Sequence, residues 1–566
     1  MHFPPPFGRI VAFAACILLS ACVTGGNLRP QTAMAKPNPG LGAYLAARYA
    51  ASRGDSAGAA GFYSVALKAD PQNQSLLENA FLEGLLAGSP EADVLAQRLP
   101  DNTLALLLLG DNAAMQGHYG AAAKIFNRLP DTELSALMQP LLVAWMEFGQ
   151  GHEQMALEGL QPFFNSGPFG TVYMLNAALI ADAAGDDKQA SQFYQAVPIN
   201  ALNLRTAEIL ASWYARHGQE DQAEAILADL IASHPDLAMA FPQLRAQMHQ
   251  PVIATPEQGL AEAYMTMAAS LSQPQTMFLR SVFLRFALAL RPDLSPARLI
   301  LADDTLNMGG NVHQPSAAQI QTALTILSPV QASDPLYAVV TIQKALLNAR
   351  LGQVDTAIKL LNQLIMIYPN APGLLVTAGD VRRNANQCSQ ALPYYQQAIN
   401  LLGSPAPANA WSLFFNRGIC EDMQGNWTVA EQDIARALTL SPDQPYALNY
   451  LAYRWAQQGQ HLNQAQQMLL HAVSLDPNDG ALLDSLGYIE LKLGNTRQAL
   501  ALLIEAVQFD PINVEANAHL GDAFSQSGQK LAAVYQWDRA LTLNPDAKLK
   551  AALTDQIRQA IGGMTP

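Results

Sequence analysis

The sequence predicts an all-α fold: a superhelical solenoid of antiparallel helix pairs, closed by a C-terminal cap helix. Three observations carry that prediction. Half of the 566 residues are apolar, and much of the polarity comes from Gln, Asn and Ser beside abundant Ala and Leu. Such a mixture can build a large core from closely packed helices and is too apolar for general disorder. Prolines close similar segments at Pro442, Pro477, Pro511 and Pro545, spaced 35, 34 and 34 residues apart. Counting back from them stacks small residues in one register, and a period of about 34 marks an array of repeated helix pairs. Without that period, a chain this long would divide into three or four globular domains at roughly 100–200 residues each.

Charge narrows the function classes. There are 32 Lys plus Arg against 46 Asp plus Glu, a formal charge of −14, and charged residues make up only 14% of the chain. Phosphate backbones are held by concentrated Lys and Arg, which this sequence lacks, so no nucleic-acid partner is expected.

The elements follow in chain order. Arg9 precedes a short apolar run, Ile10 to Leu19, that suits a secretory leader and is too short to span a bilayer. It ends in Leu19-Ser20-Ala21-Cys22, which resembles the bacterial lipobox. That resemblance implies a lipoprotein signal peptide over 1–21 and a lipid on Cys22. With no Asp beside Cys22, it further implies sorting to the outer membrane, at its periplasmic face. Residues 22–39, with Pro30, Pro37 and Pro39, read as a flexible tether.

Looser repeats follow over 40–250. They are marked by Gly54, Ala59, Tyr63, Ala66 and Pro71, by Gly110, Gly117, Ala122 and Phe126, by Gly185, Ala190 and Tyr194, and by Gly218, Ala223, Leu227 and Pro235. Joints are expected at 245–258, which holds Pro251 and Pro256, and at 309–316, which holds Gly309-Gly310-Asn311. The stretch 259–337 between and beyond them reads as atypical repeats with an insertion. Regular repeats occupy 338–547. There Gly418, Gly487 and Gly521 share one position, Gly425, Gly494 and Gly528 the turn, and Ala430, Ala465, Ala499 and Ala533 the position beyond it. The small residues let the two helices of a pair approach, and the closing proline cannot continue a helix. Residues 548–566 carry Leu549, Leu553, Ile557 and Ile561 at helical spacing and read as the cap helix and tail.

This register resembles the tetratricopeptide repeat (TPR). The segments Leu448-Asn449-Tyr450-Leu451-Ala452-Tyr453, Leu483-Asp484-Ser485-Leu486-Gly487-Tyr488 and His519-Leu520-Gly521-Asp522-Ala523 are more specific. Over about 411–545 they resemble a family of Gram-negative, especially alphaproteobacterial, TPR outer-membrane lipoproteins. Relatives with this layout bring a periplasmic carboxy-terminal processing protease to cell-wall hydrolases. The resemblance therefore implies protein or peptide partners in the envelope and a non-catalytic adaptor. Ala452 stands where the family pattern has Gly, and Ser525 and Gln526 stand where relatives carry an aromatic residue. A component of envelope polysaccharide export or outer-membrane assembly is the alternative scaffold, and an enzyme with an unrecognised site is a third reading.

No sequence motif points to chemistry. There is no phosphate-cradling Gly-Lys-Thr loop and no His-Glu-x-x-His helix. His461 and His471 lie ten residues apart without metal-ligand spacing. Asp303-Asp304 and Glu220-Asp221 read as solvated acids at helix ends or loops. No catalytic residue, metal, cofactor or small-molecule substrate is expected, so function falls to a surface. The first helices of the pairs should form the concave wall, which receives Arg383, Phe415, Tyr450, Arg454, Tyr488, Lys492 and Asp522. Rings offer area at low entropy cost, and Arg or Lys can hold a carboxylate, a combination suited to peptide capture. Cys388 opens a second helix and Cys420 lies late in the next first helix. Two readings stay open for them: a disulfide, or two buried cysteines acting as small apolar residues.

Overall fold

The computed structural model describes residues 39–198, 203–271, 273–307 and 315–562. The leader, Cys22 and Gly309-Gly310-Asn311 lie outside them. Among the described residues every regular element is helical. Six antiparallel pairs come first: Pro39–Ser52 with Ser56–Ala69, Gln74–Ala87 with Glu91–Ala96, Thr103–Met115 with Tyr119–Phe126, Glu133–Gly149 with Glu153–Leu160, Gly170–Ala184 with Asp187–Ala196, and Leu204–Arg216 with Glu220–Ser233. Six more close the chain: Tyr337–Arg350 with Val354–Ile367, Pro372–Asn384 with Cys388–Leu401, Trp411–Met423 with Trp427–Leu440, Pro445–Gln458 with Leu462–Leu475, Gly480–Leu493 with Thr496–Phe509, and Val514–Gln526 with Lys530–Thr542.

Local chemistry sets the ends. Asp55, Asn73, Asn102, Asp186, Asn203, Asp479 and Asn513 each precede a helix and accept a hydrogen bond from its free first-turn N–H groups. The turns inside the pairs need a left-handed residue, supplied by Gly117, Gly425, Gly494 and Gly528. Gly459 serves the turn of the 445–475 pair, and Asn386 takes the same conformation at φ 58° in the 372–401 pair.

Inside the pairs 372–401, 411–440, 480–509 and 514–542, a glycine of the first helix faces a larger residue sixteen positions later on the second. A Cβ at Gly379 would lie 2.4 Å from the Tyr395 ring, one at Gly487 would lie 2.6 Å from Leu503, and one at Gly521 would lie 2.4 Å from Trp537. Ala430, Ala465, Ala499 and Ala533 are wholly buried at the crossing. The cap helix Ala547–Gly562 buries Leu553 against Trp537 and Ala540, as the spacing of its apolar residues predicts.

Between the two sets the fold departs from a simple stack. The helix Pro256–Ser270 is buried without a break from Gly259 to Ala268. It packs on the first helices Thr103–Met115, Glu133–Gly149 and Gly170–Ala184 at once. It thus runs along the inner side of the N-terminal array. Gly259 permits this seat, because a Cβ there would fall 2.1 Å from Cε3 of Trp145. Polar ties fix the register. The Tyr264 hydroxyl donates to Asp111 at 3.1 Å, and Asn176 Nδ2 donates to Thr266 Oγ1 at 3.2 Å while its oxygen accepts from Trp145 Nε1 at 2.9 Å. Fully buried Glu262 takes Arg205 Nη2 at 2.7 Å and Nε at 3.0 Å, and Arg205 also reaches Glu208 at 2.8 Å. Burial drives the Asp111 carboxyl well above the usual carboxylate range, more than its Tyr264 bond draws it down.

The next helix, Met277–Leu290, continues along the inside against Gln74–Ala87 and Thr103–Met115. One core consequently runs from Ala47 to Leu347, with Met248 and Ile253 inside it. The expected joint at 245–258 is therefore a crossover into the groove, and 259–337 shares its core with the pairs of 40–250. Asp304 likewise departs from the expectation of a solvated acid: it is fully buried and holds Arg280 and Ser281. A buried carboxylate needs such partners to offset its lost hydration.

Candidate partner-binding wall

In the C-terminal array, the first helices of neighbouring pairs touch one another along Pro445–Gln458, Gly480–Leu493 and Val514–Gln526, while their second helices stand further apart. The array therefore bends toward the first helices, whose side chains line the inside of the bend. Unlike its N-terminal counterpart, this inner wall has no helix of the described residues lying along it.

Phe415, Tyr450, Arg454 and Tyr488 of the predicted wall fall into ties between consecutive first helices. Asp422 accepts from the Tyr450 hydroxyl at 2.8 Å and from Arg454 Nη2 at 2.6 Å. Arg454 also lies over the Trp427 ring at 5.3 Å, and Phe415 meets Tyr450 edge-on at 6.0 Å. Burial, with the Asp422 bond behind it, raises the Tyr450 phenol, so it stays a neutral donor. Tyr450 and Arg454 are thus brought together with Phe415 and spend their polar groups inside the wall.

One repeat on, Tyr453, Tyr488 and His519 form a ring cluster across three first helices. Tyr488 lies 5.3 Å from Tyr453 and 4.5 Å from His519, and Lys492 Nζ sits 5.0 Å from the Tyr488 centroid. His519 Nδ1 meets Asp484 at 2.9 Å. Burial alone would lower the His519 pKa, but Asp484, with Asp522 and Glu515 beyond it, outweighs burial and raises it. Lys492 is exposed and makes no side-chain hydrogen bond among the described residues. Asp522 accepts from Trp537 Nε1 at 3.0 Å and Gln556 Nε2 at 2.9 Å, which binds the cap helix to the wall. Burial nevertheless raises its carboxyl above the usual range.

Arg383 stands apart from these clusters. Its Nε is 3.9 Å from Asp380, an acid already taken by the Tyr395 hydroxyl at 2.7 Å and Asn416 Nδ2 at 2.8 Å. Cys388 and Cys420 are joined in a disulfide, with Cα atoms 5.0 Å apart, which staples this pair to the next. Cys22 lies outside the described residues. Sequence reading missed Asp422, Asp484, Tyr453 and His519. A partial signal existed, since Tyr453 follows Ala452 just as Tyr488 follows Gly487 and Asp522 follows Gly521.

Among the described residues no group of three or more His, Cys, Asp or Glu is placed to hold a metal ion. The wall offers rings, the exposed Lys492 ammonium and the partly covered Arg383 guanidinium along a bent helical surface.

That makes the molecule an α-helical solenoid with an open inner wall in its C-terminal half. Family profiles described as tetratricopeptide repeat match residues 376–445 and 485–548, and another of the same description matches 209–236 and 343–371. The chain carries tetratricopeptide repeats, and such repeats form protein–protein interaction scaffolds. It is similar to a TPR repeat-containing protein of Pseudomonas aeruginosa, 28% identical over 172 residues, or 30% of this chain. The match spans 28% of that relative's length. Among solved structures it is similar to the APC/C hetero-tetramer Cut9–Hcn1, with a TM-score of 0.38 and 12% identity over 92% of this chain and 96% of that one. It is also similar to YrrB, a TPR protein with an unusual peptide-binding site, with a TM-score of 0.28 and 18% identity over 34% of this chain and 97% of that one.

Proposed function

We propose that the protein is a non-catalytic scaffold, lipid-anchored through Cys22 at the periplasmic face of the outer membrane, that gathers envelope proteins on its C-terminal wall. The observation that carries this reading is the contrast between the two halves. The N-terminal inner face is filled by Pro256–Ser270, while the C-terminal face keeps Tyr488, Lys492 and Arg383 uncovered enough to meet a partner. The lipobox at Leu19-Ser20-Ala21-Cys22 supports the anchor. The family resemblance over about 411–545 supports the sharper version, an adaptor between a processing protease and cell-wall hydrolases.

The test is affinity purification of the anchored protein from crosslinked envelopes, repeated with Lys492→Ala and with Tyr488→Ala. Arg454→Ala is the poorer probe, because it frees the buried Asp422 and loosens the wall itself. Protease and hydrolase subunits should co-purify with the native chain and be depleted in both variants. Retention of every partner by both variants would dismiss the wall as the binding surface.

A further inference from the structure

We propose that the outer face of the first helix docks on an anionic lipid bilayer. Pro39–Ser52 turns Ala43, Tyr44, Ala47, Ala50 and Ala51 to the core. Its opposite side shows Leu41, Leu45 and Tyr49, which are 61%, 59% and 69% exposed. Their four-residue spacing sets them in one stripe. The two ends of the solenoid differ in this respect. At the C-terminal end the cap helix buries Leu553 and presents Lys548, Lys550, Asp555 and Arg558 outward, as a terminal unit must to stay soluble. At the N-terminal end an apolar stripe occupies the corresponding outer position.

Charge says what covers it. The chain carries −14 overall, yet residues 1–54 contain no Asp or Glu, and they hold Arg9, Arg29, Lys36, Arg48 and Arg53. The first acid, Asp55, is committed to capping Ser56–Ala69 through the Gly58 N–H at 2.9 Å. Arg48 reaches only the Tyr44 hydroxyl at 3.3 Å, and Arg53 has no ion pair among the described residues. An apolar stripe with a ring at its edge, flanked by unpaired bases, has the make-up of a helix lying in a bilayer interface, where anionic headgroups meet the bases. A second copy is the poorer occupant, because two such faces would bring Arg48 and Arg53 against their equivalents. The docking does not require acylation of Cys22. An acyl anchor there would raise the local concentration of this face at the membrane.

The test uses the chain from Val23 onward, which keeps every described residue and lacks the anchor. It is sedimented with vesicles of phosphatidylglycerol mixed with phosphatidylcholine, and with phosphatidylcholine alone. Binding should favour the anionic vesicles and fall several-fold at high salt. It should also fall several-fold in the Leu41→Gln, Leu45→Gln, Tyr49→Gln triple variant and in Arg48→Gln with Arg53→Gln. All these side chains are exposed, so the variants should melt with the native chain, and circular dichroism checks that. Absence of sedimentation with anionic vesicles overturns the proposal. So does a dimer, seen by light scattering, that the triple variant dissociates while vesicle binding is unchanged. Neither outcome touches the partner-capture reading, which is scored separately on Lys492 and Tyr488.

Discussion

Gly521 and Ala452 occupy the same place in their repeats, yet the residues opposite them dictate different sizes. Sixteen positions on, Gly521 faces the rigid Trp537 ring, whereas Met468, a flexible side chain of the same apolar cluster, stands sixteen positions after Ala452. Gly521→Ala gains roughly 1 kcal/mol of helix propensity, but its methyl must displace a ring that is 3% exposed, at a cost of roughly 1–3 kcal/mol. We expect net destabilisation. Ala452→Gly loses both propensity and a buried methyl and should cost about 1–2 kcal/mol. Urea unfolding of the two variants checks this, and a Gly521→Ala chain more stable than the native one would refute the packing argument. Ala at 452, where Gly487 and Gly521 stand in their repeats, is thus consistent with a softer residue at the crossing. Site residues were legible to the same extent. Tyr488 and Lys492 follow from register alone, while Asp422 does not, because its donors Tyr450 and Arg454 lie on the next repeat, 28 and 32 residues on, beyond any local pattern.

At the scale of helices, the C-terminal array was readable because its pairs repeat a small residue, a left-handed turn residue and, in all but the 372–401 pair, a closing proline. Pro256–Ser270 was not, because a helix apolar on one face announces a surface position, whereas this one is apolar nearly all round. Its one internal charge, Glu262, is matched by Arg205, fifty-seven residues upstream, a pairing no local pattern carries. The disulfide lies between these extremes. Sequence brought Cys388 and Cys420 to adjoining helix ends and left bridge and free thiols both open, and the bond then follows from their 5.0 Å Cα separation. Closing a loop between residues 32 apart stabilises by about 3–4 kcal/mol in the chain-entropy account. Reduction of the native chain should therefore lower its denaturant midpoint, whereas Cys388→Ala with Cys420→Ala should start lower and be indifferent to reductant. A native midpoint unmoved by reductant would show that this staple carries no stability.

Over the whole molecule, the two halves should unfold by different rules. The C-terminal pairs bury their apolar faces in a succession of small clusters, each shared only with neighbours. Stability there is close to a sum of repeat and interface terms, so opening can begin at the cap and proceed inward. The N-terminal half has a single core from Ala47 to Leu347, wound about a central helix that touches three first helices at once. Removing that helix uncovers Trp145 and Asn176, both fully buried and both touching it, and leaves Arg205 without Glu262. Breaking a buried ion pair costs at most about 3–5 kcal/mol, less here because Glu208 still meets Arg205, against the roughly 5–15 kcal/mol that holds a domain together. A chain ending at residue 350 should consequently melt as one cooperative unit. A chain ending at 250, though it retains all six N-terminal pairs, should be poorly folded or aggregate through the exposed inner wall. Thermal circular dichroism and gel filtration of the two truncations decide the matter. Equal, sharp melts would mean that the central helix is a passenger in the groove, and the explanation for why only the C-terminal wall is open would then fail with it.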